Sequence, residues 1–174
     1  MAYHVGHMVP NEAINRQFGR LAQLETFLMT NMSPQRGSLN TGVWLNLEDK
    51  IRNIEDTRDK DHVWAITGPI FGDDPDTIER DDVNVPIPSG YYCIFVDPFQ
   101  YPWDRETNVD IGCFLIPQDA ASGTPLEDFL VDILDIEEAT KLRFFPGWDY
   151  SVDISAAMAK SAVSKVRHRL LRQL

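Results

Sequence analysis

Four side chains within the first 52 residues are of types that could do chemistry together. His7 closes the run His4-Val5-Gly6-His7 and stands before Met8-Val9-Pro10, while Asn40 opens a proline-free segment in which Glu48 and Arg52 follow. A neutral imidazole titrates near neutral pH, so it can take a proton from water. An amide oxygen is a hard, uncharged donor suited to Mg2+, which keeps most of its waters and needs few protein contacts. Hydrolysis of a phosphodiester requires an activated water, charge neutralisation on the transition state and help for the leaving oxygen. His7 and Asn40 supply the first two requirements as a candidate base and a candidate metal ligand. Each also has a plainer reading: a lone histidine is more often structural, Asn caps helices well, and Glu48 and Arg52 form a surface ion pair at their spacing of four.

The elements that must hold these residues differ along the chain. Residues 1–40 are broken by Pro10, Gly19, Pro34 and Gly37 and read as a loop-rich stretch. From Asn40 to about Arg52, Trp44, Leu47 and Ile51 recur at helical spacing, which predicts one amphipathic helix with Trp44 and Leu47 as core anchors. Val63–Thr67, Tyr91–Val96 and Ile111–Ile116 are β-branched and aromatic runs, predicting three strands of a mostly antiparallel sheet. Pro69–Pro88 carries Asp73, Asp74, Asp76, Glu79, Asp81 and Asp82 and reads as an exposed acidic loop without the glycine and terminal glutamate of an EF-hand. Asp135 and Glu138 read as a capping box opening a short helix that ends near Lys141. Met158, Ala162, Val166 and Leu170 step every four residues through a basic segment, 154–173, either a core-packed last helix or a basic arm. The expected class is α+β: residues 1–150 form one domain, and 151–174 add a basic amphipathic helix.

Charge alone would not suggest a nucleic-acid partner. The 16 Lys and Arg against 27 Asp and Glu leave a net charge of −11, whereas phosphate binding relies on cations. The acid is concentrated centrally: residues 1–52 are close to neutral, 53–159 hold 23 acids against six bases, and 160–174 hold five bases and no acid. No run is long and apolar enough for a membrane span, no export signal is visible, and no membrane partner is expected. Cys93 and Cys113 are too few for a disulfide scaffold or a cysteine-rich zinc site.

Four fragments then stand in order: Gly6-His7-Met8-Val9-Pro10, Glu25-Thr26-Phe27, Thr30-Asn31-Met32-Ser33-Pro34-Gln35, and Leu39-Asn40-Thr41-Gly42-Val43-Trp44 running on to Leu47-Glu48-Asp49 and Arg52. The arrangement resembles the DNA/RNA non-specific endonucleases, a group with the ββα-metal, or His-Me finger, active site. Thr67-Gly68-Pro69-Ile70-Phe71, Val85-Pro86-Ile87-Pro88 and Phe144-Phe145 extend the resemblance over about residues 3–146. It implies an α+β His-Me finger fold and a Mg2+- or Mn2+-dependent endonuclease that cleaves DNA and RNA without sequence preference. It implies His7 as the base and Asn40 as the metal ligand. Glu48 would hold a water of the metal, Arg52 would stabilise the phosphate or leaving group, and Asn31 and Gln35 would organise the loop beside the base. Relatives suggest a secreted, periplasmic or organellar setting, and a homodimer or an inhibitor protein as further partners. The competing reading is a catalytically weakened protein of the same fold that binds nucleic acid or protein.

Three departures from the family pattern bear on this. Its Asp-Arg before Gly-His is His4-Val5 here, which removes a cation near the phosphate and creates a His-x-x-His pair that could suggest a transition-metal site. The family has a substantial region ahead of its base, which here is residue 7, so the expectation is either a fragment of a longer protein or a reduced sheet completed by something else, such as the basic segment 154–173. Lys141 stands where the family commonly has a glycine, so that turn is expected to be rebuilt.

Overall fold

The computed structural model describes residues 3–57, 64–80, 82–97 and 110–146. The elements run β1 (Tyr3–His7), α1 (Asn11–Glu25), β2 (Met32–Arg36), α2 (Trp44–Thr57), β3 (Trp64–Ile70), β4 (Thr77–Arg80), β5 (Val83–Pro86), β6 (Gly90–Asp97), β7 (Asp110–Pro117), β8 (Leu130–Val131) and α3 (Ile133–Thr140). The basic segment 154–173 lies outside the described residues, as does the whole of 151–174.

The three predicted strands form the centre of an antiparallel sheet of order β3-β6-β7-β8. Alternation along β6 sends side chains to both faces, and both faces are covered. Tyr91 and Cys93, with Phe114 and Ile116 of β7, pack under Leu39, Val43, Trp44 and Leu47. Tyr92 and Ile94, with Cys113, pack under Ile133 and Ile136 of α3 and against Phe144 and Phe145. The result is three layers, α2 over the sheet over α3. Cys113 stands opposite Ile94 and not Cys93, so the two thiols point to opposite faces and both are free. Among the described residues no helix is long and apolar enough to cross a membrane.

Several local expectations change. The first 40 residues are not mainly loop: β1 and β2 form an antiparallel ribbon with Gly6 opposite Ser33 and His7 opposite Met32, and α1 lies between them. The helix carrying Glu48 and Arg52 starts with a wide turn over Leu39–Val43 and continues to Thr57. At Gly42 a Cβ would stand 2.7 Å from Ser122 Cα, so the turn can close against that loop only with glycine. The acidic stretch is exposed as expected but contains the β4–β5 ribbon.

The cap of α3 sits one turn earlier than predicted. Asp132 accepts from Leu134 N–H at 3.0 Å, and Asp135 accepts from Asp132 N–H at 2.8 Å. Asp132/Asp135 and Asp135/Glu138 share the same spacing, and burial of Ile133 and Ile136 selects the earlier pair. The turn after α3 is not rebuilt either. Lys141 itself takes the left-handed conformation, φ 58°, and its N–H bonds Glu137 O at 2.9 Å.

Candidate active site

Two connections fix the site: one from the ribbon to the start of the helix, the other from the helix back to the ribbon. Gln35 of β2 is fully buried, and its side chain crosses over Gly6 of β1. A Cβ on Gly6 would lie 2.0 Å from Gln35 Oε1, so only glycine leaves room before the histidine. Gln35 Oε1 then accepts from Asn40 Nδ2 at 2.7 Å, which turns Asn40 Oδ1 away from the core and towards His4 Nδ1, 3.2 Å distant. Asn40 therefore does not serve as a helix cap: its side chain bonds the ribbon and lies inside the wide first turn. In return, the buried Trp44 indole donates to His7 O at 3.2 Å. Trp44 and Leu47 are core anchors, each 2% exposed.

His7 ends β1, and the chain beyond it is clamped. Met8 N–H donates to Asn31 O at 3.0 Å, Val9 N–H to Asn31 Oδ1 at 2.8 Å, and Asn31 Nδ2 to Val9 O at 3.1 Å and Thr26 O at 2.9 Å. Thr67 Oγ1 of β3 donates to Met8 O at 2.9 Å, which ties the same point to the sheet. The His7 ring meets the edge of Phe27 at 5.3 Å between centroids, and its Nε2 is buried with no protein partner. Burial lowers its pKa below the ordinary 6.5, so the ring is neutral at physiological pH and its basic nitrogen is not consumed by the fold.

Glu48 lies beside this frame. Its carboxyl is pushed up to about 7 chiefly by burial; the Trp44 indole and the Arg52 guanidinium oppose the shift and the Asp49 carboxylate adds to it. Arg52 bonds directly to Asp49 instead of Glu48, so the plainer reading of a Glu48–Arg52 surface pair gives way to an Arg52–Asp49 pair with Glu48 nearby. The His-x-x-His pair is also divided: residues three apart on a strand face opposite sides, and His4 meets Asn40 while His7 meets Phe27. Val5 is 68% exposed.

Among the described residues no three His, Cys, Asp or Glu side chains converge as a metal cluster. A cation here would depend on the Asn40 oxygen and a few neighbours, a donor set that fits Mg2+ or Mn2+ and not a structural zinc centre. Sequence reading missed two parts of the site. Trp44 was assigned only to the core, and the Gln118 connection had no local signal because it comes from 84 residues away. Gln118 is buried, donates through Nε2 to Pro34 O at 2.8 Å and accepts from Arg36 N–H at 2.9 Å, which steadies β2 from outside.

A two-stranded ribbon bearing a histidine and packed on a helix that starts at an asparagine is the ββα unit of a His-Me finger. Residues 3–151 match the family model for DNA/RNA non-specific endonuclease, and the chain belongs to that family. It is 31% identical over 163 residues to the mitochondrial nuclease EXOG of Homo sapiens, covering 86% of this chain and 41% of the relative. It is 32% identical over 164 residues to nuclease C1 of Cunninghamella echinulata var. echinulata, covering 87% and 61%. The chain thus spans about two fifths to three fifths of the length of these relatives. The crystal structure of an EndoG/EndoGI complex has the same fold, with a TM-score of 0.67 at 23% identity over 85% of this chain and 61% of that one.

Proposed function

We propose that this domain is a divalent-metal-dependent endonuclease that hydrolyses phosphodiester bonds of DNA and RNA without sequence preference. The observation that carries this reading is a neutral His7 whose buried ring nitrogen has no protein partner, in a chain of this family. His7 accepts a proton from the attacking water as the water oxygen bonds to phosphorus; the P–O3′ bond breaks, leaving a 5′-phosphate and a 3′-oxygen that takes a proton from solvent to become a hydroxyl. Asn40 would hold Mg2+ or Mn2+ through its amide oxygen, with Glu48 as the carboxyl that would hold a water of the ion, and such a cation would supply charge neutralisation at the phosphate. Arg52 adds positive charge beside the same oxygens, held in place by Asp49. Asn31 and Gln35 position the base and the metal ligand respectively, through the hydrogen bonds described.

The test is incubation of supercoiled plasmid and total RNA with the protein and Mg2+, with and without chelator, beside His7→Ala and Asn40→Ala. The proposal expects cleavage of both polymers that the chelator and either substitution abolish. Equal residual cleavage by the wild type and both variants would sink it. An exposed Val5 at the phosphate side favours one second reading, a binding protein with weakened catalysis. That reading expects nucleic acid to be retained without cleavage under the same conditions.

A further inference from the structure

We infer that His4, through Nδ1, is a second protein ligand at the Asn40 site, and that the pair favours Mn2+ or Co2+ over Mg2+. The inference rests on the proposed function only in placing a cation at Asn40. His4 Nδ1 and Asn40 Oδ1 are 3.2 Å apart. Two donors at about 2.1 Å from one ion, at a right angle, stand roughly 3.0 Å apart, so the observed spacing is that of neighbouring positions on an octahedral cation.

The surroundings hold both donors in that relation. Gln35 Oε1 engages Asn40 Nδ2, leaving the amide oxygen on the His4 side. His4 stands on β1 directly opposite Gln35, and its ring lies over Gly37, where an added Cβ would come within 3.1 Å of Nε2. His4 is exposed, so a cation with its remaining waters can reach it. Without a cation, Nδ1–H donates to Asn40 Oδ1. With one, the ring takes the other tautomer, with the proton on Nε2 and the Nδ1 lone pair presented to the ion. Imidazole nitrogen prefers the later divalent metals to Mg2+, whereas an all-oxygen site does not. Replacement of a family aspartate by His4 therefore changes which cation is held and leaves the base itself in place, since the His7 ring meets Phe27 and not His4.

The experiment uses the full chain with Mn2+, Co2+ or Mg2+ alone as probe, followed by calorimetry and by pulsed electron paramagnetic resonance of bound Mn2+. Wild type is expected to bind Mn2+ or Co2+ at least tenfold more tightly than Mg2+ and to show nitrogen coupling to Mn2+. His4→Ala and His4→Gln are expected to lose the coupling and the tenfold preference while still binding Mg2+. His7→Ala keeps both. Mn2+ bound by wild type without nitrogen coupling, or coupling that survives His4→Ala, overturns the inference and leaves the nuclease reading intact. Unchanged binding by Asn40→Ala overturns the placement of the cation itself.

Discussion

The amino-terminal ribbon with its helix and the central sheet are held together by different means. Both faces of β6 and β7 are packed with apolar side chains, and their geometry follows from burial and strand pairing. The buried polar residues among those described are Thr26, Ser33, Gln35 and Gln118; Thr26 caps α1, and the other three lie in or against the ribbon. Ser33 and Tyr91 hydroxyls are 3.0 Å apart, and Tyr91 donates to Pro34 O at 2.7 Å. Apolar contact is non-directional, so it sets how firmly the sheet holds but not where an amide oxygen points. Hydrogen bonds in a buried network fix direction, at the cost that a lost partner strands the other. The site is therefore built where direction matters, on a platform built where stability matters.

This contrast can be broken at either end. The largest expected effect is on chemistry. His7→Ala should lower cleavage by about 10²–10⁴ while changing the melting temperature far less, because Nε2 makes no hydrogen bond within the protein for the substitution to break. An equal loss of folding and activity would show His7 to be a structural residue. In wild type, the loss of cleavage that comes from protonating His7 should set in only below pH 6.5, since burial keeps His7 neutral down to a lower pH than a free histidine.

Trp44→Ala joins the two regions and should cost about 3–5 kcal/mol in denaturant unfolding, because it removes a core side chain and the donor to His7 O together. Trp44→Phe separates these roles, keeping most of the stability and losing activity. A Phe variant with full activity would remove Trp44 from the site.

Glu48 gives a pH-dependent test. Its folded pKa is raised above the ordinary 4.5, so the folded chain binds the proton more tightly than the unfolded chain does. The associated stability is fully present below pH 4.5 and is lost as pH rises through about 7. With chelator present, Glu48→Gln should match wild type at pH 4.5 and exceed it above pH 7 by up to about 3 kcal/mol. A difference independent of pH would place the carboxyl in water instead.

Gly6→Ala should cost roughly 1–3 kcal/mol in stability through overpacking against Gln35. Its activity loss should exceed what that destabilisation explains, since the displaced Gln35 releases Asn40. Additive losses in the Gly6→Ala/Gln35→Ala double variant would contradict the shared contact.

Regions differed in what the sequence alone disclosed for the same physical reason. Trp44, Leu47 and Ile51 repeat at a helical period, and Tyr91–Val96 is β-branched and aromatic, so burial wrote those elements plainly. The ribbon left no such mark. Pro34 and Gly37 read as breakers, yet Pro34 O points outward to Tyr91 and Gln118, so its missing N–H falls on the edge away from β1. Helix α1 has Gly19 within it at φ 81°, and a glycine in an unburied helix reads as a break. His7, Asn40, Glu48 and Arg52 were legible through their order in a family pattern. The Arg52–Asp49 bond and the division of His4 from His7 were not, because they depend on rotamers and on which side of a strand a residue falls.

The opposed placement of Cys93 and Cys113 gives each face of the sheet its own chemical witness. Burial pushes the Cys93 thiol up to about 12 and raises that of Cys113 as well, so neither reacts while its layer stays closed. Alkylation of Cys93 requires α2 to lift from the sheet, and alkylation of Cys113 requires α3 to lift. The native chain thus carries two internal clocks, one timing the opening of the layer that bears the site and the other timing the layer behind it.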